Sequence, residues 1–451
     1  MVPLDVVELR VGSLARNAIG YRDRRGAIKT AAGRSAVEPR KTEGAPRADP
    51  RREARVSSSH ADEQTGAVDS EIDFATAAVP DLHVRLARIR DSAAVAPVRF
   101  HGQRSWLVTT HAHVLEAFQN EDRFCSAAMH QPAIGKSIQA MRGEEHRASR
   151  ALLVSAFTPA AMRRRVDTLL EPIAHEVIDE FAQRGEVELI RGFAARFPFR
   201  VVTRLLGIPI HNESQIFSWA KKLLEHPWDP DGAKAAAAQF RSYLMPLVEE
   251  RRASPTDDLL SLLVHAEVEG RRLSDDQIFA FVGLLFPAGS DTSYKAIGSM
   301  MLAVLTRPQL CDRLRADPAE RRGVVEETLR FEPPVALLPR KAAKDTQLAG
   351  VDLPAGSHML LGIAAANRDP AVFDAPDAFD PSRRSRRSLV FGWGVHYCLG
   401  SHLARREMEV ALGVLLERLP GLRLVDPQSV EILGALLRGP RRLPARFEVP
   451  A

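Results

Sequence analysis

The strongest structural signal in the sequence is the stretch Phe391-Gly392-Trp393-Gly394-Val395-His396-Tyr397-Cys398-Leu399-Gly400. Its two early glycines, two residues apart, permit the backbone conformations that a tight turn needs. Cys398 follows directly before a predicted helix, whose N-terminus offers free N–H groups and the positive end of the helix dipole. Such surroundings lower the pKa of a thiol. The pattern indicates a thiolate that is either a nucleophile or a soft metal ligand, and the alternative is a buried structural cysteine.

The longest helical pattern of the chain lies upstream of this loop. It begins after Ser274, a favourable N-cap residue, and ends at Thr306, just before Arg307-Pro308. At ~1.5 Å per residue it would be roughly 48 Å long, enough to cross the whole molecule. The sequence therefore predicts a long central helix.

The middle of this helix contains Ala288-Gly289-Ser290-Asp291-Thr292, preceded by Pro287. Proline removes a helical N–H, and glycine is a poor helix former. We expect a weakened turn there, with room for dioxygen and water. Asp291 and Thr292 supply an acid and a hydroxyl for a proton relay. The alternative is a simple kink that carries a surface acid.

Several charged residues form weaker patterns. His146 and Arg150 are four residues apart, and Glu327 and Arg330 are three apart, so each pair shares a helix face. Further candidates to bind an anion are Arg340, after Pro339, and His396 in the cysteine loop. Taken singly, each of these side chains is more typical of a solvated surface.

The cysteine loop resembles the haem-binding signature of the cytochrome P450 family, in which Phe391, Gly392, Cys398 and Gly400 match, as does the following Ala404-Arg405-Arg406-Glu407. The resemblance covers about residues 71–451. It implies a mainly α fold with minor antiparallel β structure, built as one large domain around a long central helix. It also implies haem b as the cofactor, with Cys398 as the iron ligand.

The other motifs match the same family. Ala288, Gly289, Asp291 and Thr292 resemble its oxygen-activation motif, in which Asp291 and Thr292 would be catalytic and Ala288 and Gly289 would contact the cofactor. His146, Arg150, Arg340 and His396 are the implied partners of the haem propionates. Glu327 and Arg330 match the E-x-x-R motif, for which Arg383 is the implied structural partner.

The resemblance implies a monooxygenase. The implied reaction would consume O₂, two electrons and two protons, insert one oxygen atom into a C–H or C=C bond of an apolar small molecule and release the other as water, with the oxygen chemistry supplied by the haem. We expect electrons from a separate ferredoxin and its reductase. Basic residues near the loop are proposed to dock the ferredoxin, namely Arg384, Arg386, Arg387, Arg405 and Arg406.

The substrate itself is not readable from the sequence, although a terpene, steroid, fatty acid or polyketide would suit the expected pocket. Candidate pocket residues are Leu285, Phe286 and Ala288, together with Val335 to Leu338. Two alternatives remain open for the function: a haem-thiolate binding or sensing protein without turnover, and a peroxide-driven enzyme.

Composition agrees with a helical globular enzyme, with 45% hydrophobic and 26% charged residues. Three scattered cysteines exclude a disulfide framework or a zinc cluster. No apolar run is long enough to span a bilayer, so we expect a cytoplasmic protein without membrane contact.

The N-terminal segment differs from the rest of the chain. Residues 1–60 carry thirteen Lys and Arg against seven Asp and Glu, a net charge of +6, whereas the whole chain carries +5. This segment lacks a sustained apolar period. We expect residues 1–70 to be a disordered basic extension, with no nucleic-acid binding, and residues 71–451 to form the haem domain.

Overall fold

A computed structural model of the chain describes residues 72–75, 78–127, 129, 131–157, 159–209, 213–268, 270–384 and 387–449. Contacts between residues divide the chain into Met1–Gln64 and Thr65–Ala451, and all described residues belong to the second unit. The prediction for residues 1–70 therefore lies outside the described residues.

The described residues are mainly helical, as predicted. The helices are α1 Leu82–Ser92, α2 His111–Gln119, α3 Gln131–Ile134, α4 Gly143–Ala156, α5 Pro159–Asp179, α6 Arg196–Leu205, α7 Glu213–Leu224, α8 Pro230–Ala253, α9 Leu259–His265, α10 Asp275–Leu305, α11 Pro308–Ala316, α12 Arg321–Phe331, α13 Ile363–Ala366 and α14 Ser401–Arg418. A π-helical turn at Ile190–Ala194 precedes α6.

The strands are short. They are β1 Val95–Phe100, β2 Gln103–Val108, β3 Phe124–Ser126, β4 Glu186–Glu188, β5 Glu267–Val268, β6 Arg271–Arg272, β7 Leu337–Ala342, β8 Thr346–Leu348, β9 Val351–Leu353, β10 His358–Gly362, β11 Arg423–Leu424, β12 Ile432–Leu433, β13 Gly439–Pro440 and β14 Pro444–Arg446. The largest sheet has five strands in the order β1-β2-β10-β7-β3. Its pairs are antiparallel except for β2 and β10, which run parallel, so the minor β structure is mixed where antiparallel pairing alone was expected.

The long helix α10 begins and ends as predicted. The Ser274 hydroxyl accepts a hydrogen bond from the Gln277 N–H, and the Gln277 side chain accepts one from the Ser274 N–H, which forms a capping box. The helix remains α-helical through Pro287, so the expected weakening does not break it. It contacts α6, α7, α8, α12, α14 and β13, and it is therefore the central element of the helical core.

Buried side chains form one large cluster among the helices and two smaller clusters against the five-stranded sheet. The helical cluster joins α5, α6, α8, α10 and α14, and Phe391 and Leu399 of the cysteine loop pack against the same cluster. Within the described residues, every helix is too short or too polar to cross a membrane.

Candidate active site

The cysteine loop forms the tight turn that its glycines predict. Gly392 and Gly394 adopt left-handed backbone angles, with φ of 70° and 73°, which glycine adopts without steric cost. The Cys398 N–H donates to the Phe391 carbonyl at 3.0 Å and closes the loop. A Cβ atom at Gly394 would lie only 3.1 Å from the Phe118 carbonyl oxygen, so the loop also packs closely on α2.

The Cys398 thiol lies just before α14, which begins at Ser401. It accepts hydrogen bonds from the N–H groups of Gly400 and Ser401, and the positive charges of Arg150 and Arg405 act on it. Protein atoms packed around the sulfur nevertheless partly desolvate it, which raises the pKa of this thiol above its ordinary value, although the residue keeps an exposed surface. The expectation that the loop by itself lowers the thiol pKa is therefore wrong. Bound metal ions deprotonate a coordinating thiol outright, so ligation would produce the thiolate.

Two predicted histidines meet beside this loop. The rings of His146 and His396 are 4.3 Å apart between centroids, and His396 Nε2 is 2.9 Å from Glu121 Oε1. Burial, together with the charges of His396 and Arg150, lowers the pKa of His146 to about 4. Burial also lowers the pKa of His396, although Glu121 opposes this shift. His146 Nε2 is buried without a hydrogen-bond partner.

The two predicted arginines reach the same place from other elements. Arg150 on α4 donates to the Tyr397 carbonyl at 2.5 Å, next to Cys398. Arg340 on β7 is buried, and its guanidinium carbon lies 5.6 Å from the ring centre of Phe118. Burial lowers the pKa of Arg340 to about 10. The positive charges of Arg340 and Arg150 both act on His396 and lower its pKa, so the two arginines lie near the histidine pair.

We call His146, Arg150, Arg340 and His396 the cation cluster. Among the described residues, the cation cluster makes one ion pair, between His396 and Glu121. Buried cations without anionic partners are costly, and the bare Nε2 of His146 is a further unmet donor or acceptor. Haem carries two carboxylates, which would supply the missing negative charge. The cation cluster beside an accessible thiol therefore fits a haem with a cysteine ligand.

One face of α10 is accessible although the helix is central. Ala288 is exposed, and Leu284, Leu285 and Thr292 are only partly buried. Phe286 instead is buried against Phe199 and Phe240 on neighbouring helices, so its prediction as a pocket residue is wrong. The face that carries Ala288 and Thr292 therefore remains open to a cofactor or substrate.

The polar residues of this helix are hydrogen-bonded locally. The Thr292 hydroxyl donates to the Ala288 carbonyl at 2.6 Å, and both oxygens of Asp291 lie 2.9 Å from Lys295 Nζ. A Cβ atom at Gly289 would lie 2.9 Å from Val202 Cγ2 on α6. This close packing of α10 on α6 is enough to explain why a glycine stands at position 289. The predicted contact of Gly289 with the cofactor stays a prediction.

Glu327 and Arg330 of the E-x-x-R motif form a buried ion pair whose polar groups are hydrogen-bonded. Arg330 makes two hydrogen bonds to Glu327, at 2.7 and 2.8 Å. Its remaining N–H groups donate to the carbonyls of Asn367, Pro376 and Ala378. Arg383 Nε lies 3.4 Å from Glu327, which confirms the predicted third member. We call Glu327, Arg330 and Arg383 the E-x-x-R cluster.

Several neighbours of the site were missed by the sequence analysis. Glu407 on α14 is buried, accepts a hydrogen bond of 2.6 Å from Ser293 on α10, and has a pKa that burial raises to about 8. It belongs to the Ala404–Glu407 match, so a signal existed. Glu121 carries no such signal, because nothing in its local sequence distinguishes it from a surface acid.

The basic residues near the loop differ from one another. Arg405 lies 4.4 Å above the Phe391 ring and pairs with Glu326 at 2.6 Å, so it supports the loop and is not a free docking charge. Arg406 pairs with Glu409. Arg384 and Arg387 are exposed, whereas Arg386 lies outside the described residues.

The cytochrome P450 family model matches residues 199–442. Cytochrome P450 107B1 of Saccharopolyspora erythraea is 34% identical and covers 85% of this chain and 99% of its own length. The mycinamicin IV hydroxylase/epoxidase of Micromonospora griseorubida is 35% identical, over 80% of this chain and 94% of that protein. The solved structure of the cytochrome P450 PksS of Bacillus subtilis has a TM-score of 0.77 at 29% identity, and covers 82% of this chain and 97% of that one.

These matches agree with the mainly helical architecture with small sheets. The family's members bind haem b, and relatives of this chain are named as hydroxylases. The chain therefore belongs to the cytochrome P450 family and is a P450 monooxygenase.

Proposed function

We propose that this enzyme hydroxylates or epoxidises an apolar small molecule at a haem held by Cys398, with electrons from a separate ferredoxin and its reductase. The observation that carries the proposal is the cation cluster beside the accessible thiol, because two arginines and a histidine nitrogen without a partner, next to a soft ligand, match the two ends of a haem–thiolate site. When bound, the haem supplies oxygen activation and oxygen transfer.

The chain's own residues would do the rest. His146, Arg150, Arg340 and His396 would hold the propionates, with Glu121 orienting His396. Phe391, Gly392 and Gly400 would shape the loop around the sulfur, and Ala288 and Gly289 would lie against the cofactor. Asp291 and Thr292 would move protons, since a carboxylate and a hydroxyl stand next to each other on the accessible part of α10.

The substrate class is proposed from the pocket and the relatives. Leu284, Leu285 and Ala288 present an apolar face on α10, and Val335 and Leu338, beside the five-stranded sheet, are also partly buried. One relative is named for mycinamicin IV and a solved neighbour for bacillaene polyketide synthesis. A polyketide-like apolar molecule is the class that these features favour.

Ferredoxin docking is proposed for the exposed Arg384 and Arg387, beside the loop that carries Cys398. A surface of positive charge attracts an acidic partner and raises its association rate. Replacement of Arg387 by Glu should slow ferredoxin-driven turnover mainly at low salt, and an unchanged salt dependence would exclude this residue from docking.

The decisive test is the spectrum of the reduced protein with carbon monoxide. The wild-type protein and Cys311→Ser, a control at a buried cysteine of α11, should both give the absorption of thiolate-ligated haem. Cys398→Ser should lose it. If Cys398→Ser keeps that spectrum, the assigned ligand is wrong.

A screen of the ferric Soret band against steroids, fatty acids and polyketides would identify ligands. Product formed with NADH, ferredoxin and reductase would support the monooxygenase. Product formed with hydrogen peroxide alone would indicate a peroxide-driven enzyme, and ligand binding without product would favour a sensor.

A further inference from the structure

A short hairpin formed by β12 and β13 lies between α10 and the segment that begins at Val335. The two strands pair at two positions, and an isolated two-stranded hairpin is marginally stable in water at best. A Cβ atom at Gly439 of β13 would lie 2.9 Å from Lys295 Cβ, so the hairpin packs closely on α10. Its tip, residues 434–438, needs further contacts to keep one position.

The tip extends the hairpin onto Val335. The Ala336 N–H donates to the Leu436 carbonyl at 2.8 Å, and Val335 forms an antiparallel bridge with Leu437. Residues directly opposite each other on antiparallel strands share a face, so Leu437 lies on the face of Val335. Leu436 points to the other face and packs against the buried cluster that contains Leu82. Leu437 is partly buried, and the three buried clusters of the described residues do not include it. It therefore stands away from the core, beside the proposed pocket residue Val335.

The next residue, Arg438, fastens this tip from inside the protein. Its side chain is 3% exposed, and its Nε lies 2.8 Å from Oε1 of Glu332, whose side chain is 8% exposed. The two terminal nitrogens donate to the carbonyls of Val79 at 2.9 Å, Pro80 at 3.0 Å and Gly434 at 3.2 Å. One guanidinium therefore joins both ends of the tip to two other segments of the chain.

Glu332 is held on its other side as well. His83 Nε2 on α1 lies 3.0 and 3.1 Å from its two oxygens. Burial would raise the pKa of Glu332, but His83 together with Arg438 and Arg368 outweighs burial and lowers it. The carboxylate is therefore ionised, and removal of a partner would leave a buried charge uncompensated. We call His83, Glu332 and Arg438 the tip anchor.

The tip anchor acts on both segments that meet beside the pocket. Glu332 directly follows α12 and stands three residues before Val335, whereas Arg438 directly follows Leu437. The ion pair between Glu332 and Arg438 therefore fixes the two segments that the bridge between Val335 and Leu437 brings together. A side chain that is already ordered adds less entropy cost when a ligand binds against it.

We propose that Arg438 is a positioning residue for substrate selectivity: with Glu332 and His83 it fixes the hairpin tip so that Leu437 forms one wall of the substrate pocket. Arg438 acts through the tip and does not touch the substrate. The inference rests on the proposed function, since it takes a haem held by Cys398 and a pocket on the accessible face of α10. It adds that a buried charge cluster, built from three distant segments of the chain, sets the shape of that pocket.

The test uses the haem-loaded protein and two azoles that ligate haem iron. Imidazole is small and reports access to the iron, whereas clotrimazole carries three aryl rings and also meets the walls of the pocket. Titrations followed at the Soret band give a dissociation constant for each. Arg438→Met should weaken clotrimazole binding by roughly two- to tenfold, because the ligand must then order the tip as it binds. Imidazole binding should stay unchanged.

A double variant asks whether Arg438 acts through Leu437. Leu437→Ala should weaken clotrimazole binding by itself. In that background Arg438→Met should have a much smaller further effect, because residues that act through one contact are not additive. Equal effects of Arg438→Met with and without Leu437 would contradict this route.

Arg251→Met is the matched control. Arg251 on α8 is another buried arginine, and it pairs with a buried acid, Asp258, at 2.7 Å. Its replacement should lower stability in denaturant without changing the ratio of the two azole dissociation constants. The same change of ratio in Arg251→Met and Arg438→Met would mean that general loosening explains the effect, and the positioning role would be wrong.

The remaining outcomes are also decisive. A folded, haem-loaded Arg438→Met protein with the wild-type ratio would overturn the proposal. If Arg438→Met does not load haem, Arg438→Lys carries the test: one ammonium can meet Glu332 but not all three carbonyls, so the same selective loss of clotrimazole is expected, and its absence overturns the proposal. If the wild-type protein shows no Soret shift with either azole, the proposed haem site fails, and the inference fails with it.

Discussion

The cation cluster and the E-x-x-R cluster are both groups of buried charges, yet they differ in how those charges are met. Arg330 directs its N–H groups to Glu327 and to three backbone carbonyls, so the charges of Glu327 and Arg330 are met within the protein, although Arg383 Nε has only the ion pair with Glu327. The cation cluster holds four basic side chains, which make one ion pair among the described residues, from His396 to Glu121. The comparison teaches that completed buried charges support the fold, whereas a surplus of one sign indicates a ligand.

The largest expected effect is on the completed cluster. Arg330→Met would leave the Glu327 carboxylate buried without its main partner, and breaking such a pair costs about 3–5 kcal/mol. Urea unfolding of the holoenzyme should show this loss. Glu176→Gln, which removes an exposed ion pair with Arg204, is the matched control and should cost about 0.2–1 kcal/mol. Equal losses in both variants would mean that burial does not distinguish them.

The next prediction concerns the haem-free protein, in which the change in unfolding free energy should have the opposite sign. Arg340→Met removes a cation whose burial is unfavourable and keeps apolar bulk beside Phe118. We expect the unfolding free energy of the haem-free protein to stay the same or rise. Haem affinity should fall about tenfold, which corresponds to ~1.4 kcal/mol. Haem transfer to an acceptor protein measures the affinity, and Arg340→Lys tests whether charge alone suffices.

An Arg340→Met variant that is strongly destabilised without haem but binds haem normally would reverse the distinction between the two clusters. It would place Arg340 with the E-x-x-R cluster, as a residue of the scaffold.

The last effect is nearly absent at neutral pH and grows only as the pH falls. The pKa of His146 is about 4 in the folded protein, below its ordinary value of 6.5, so the unfolded chain binds a proton that the folded chain does not. Stability of the haem-free protein should therefore fall as the pH drops from about 6.5 to about 4. His146→Asn should reduce this loss by roughly 1–3 kcal/mol. Unfolding at pH 7 and pH 5 measures it, and an unchanged pH dependence would contradict the buried, neutral state of His146.

Much of the site was predictable because its signals are local. The turn at Gly392 and Gly394, the cap at Ser274 and the spacing of Glu327 and Arg330 depend on neighbouring residues, and the structure confirms each of them. The ion pair of Arg405 was not predictable because its partner, Glu326, is 79 residues away in the chain, and the docking role of Arg405 stays a prediction. Burial of Phe286 likewise depends on side chains of α6 and α8.

By itself, the sequence determined the residue types of the site and the order of its motifs, since helix caps, glycine turns and helical spacing act over a few residues. Tertiary structure decided which charges are paired, which face of α10 is open, and the sign of the pKa shift at Cys398. The physical reason is that desolvation and charge pairing depend on atoms brought together from distant parts of the chain.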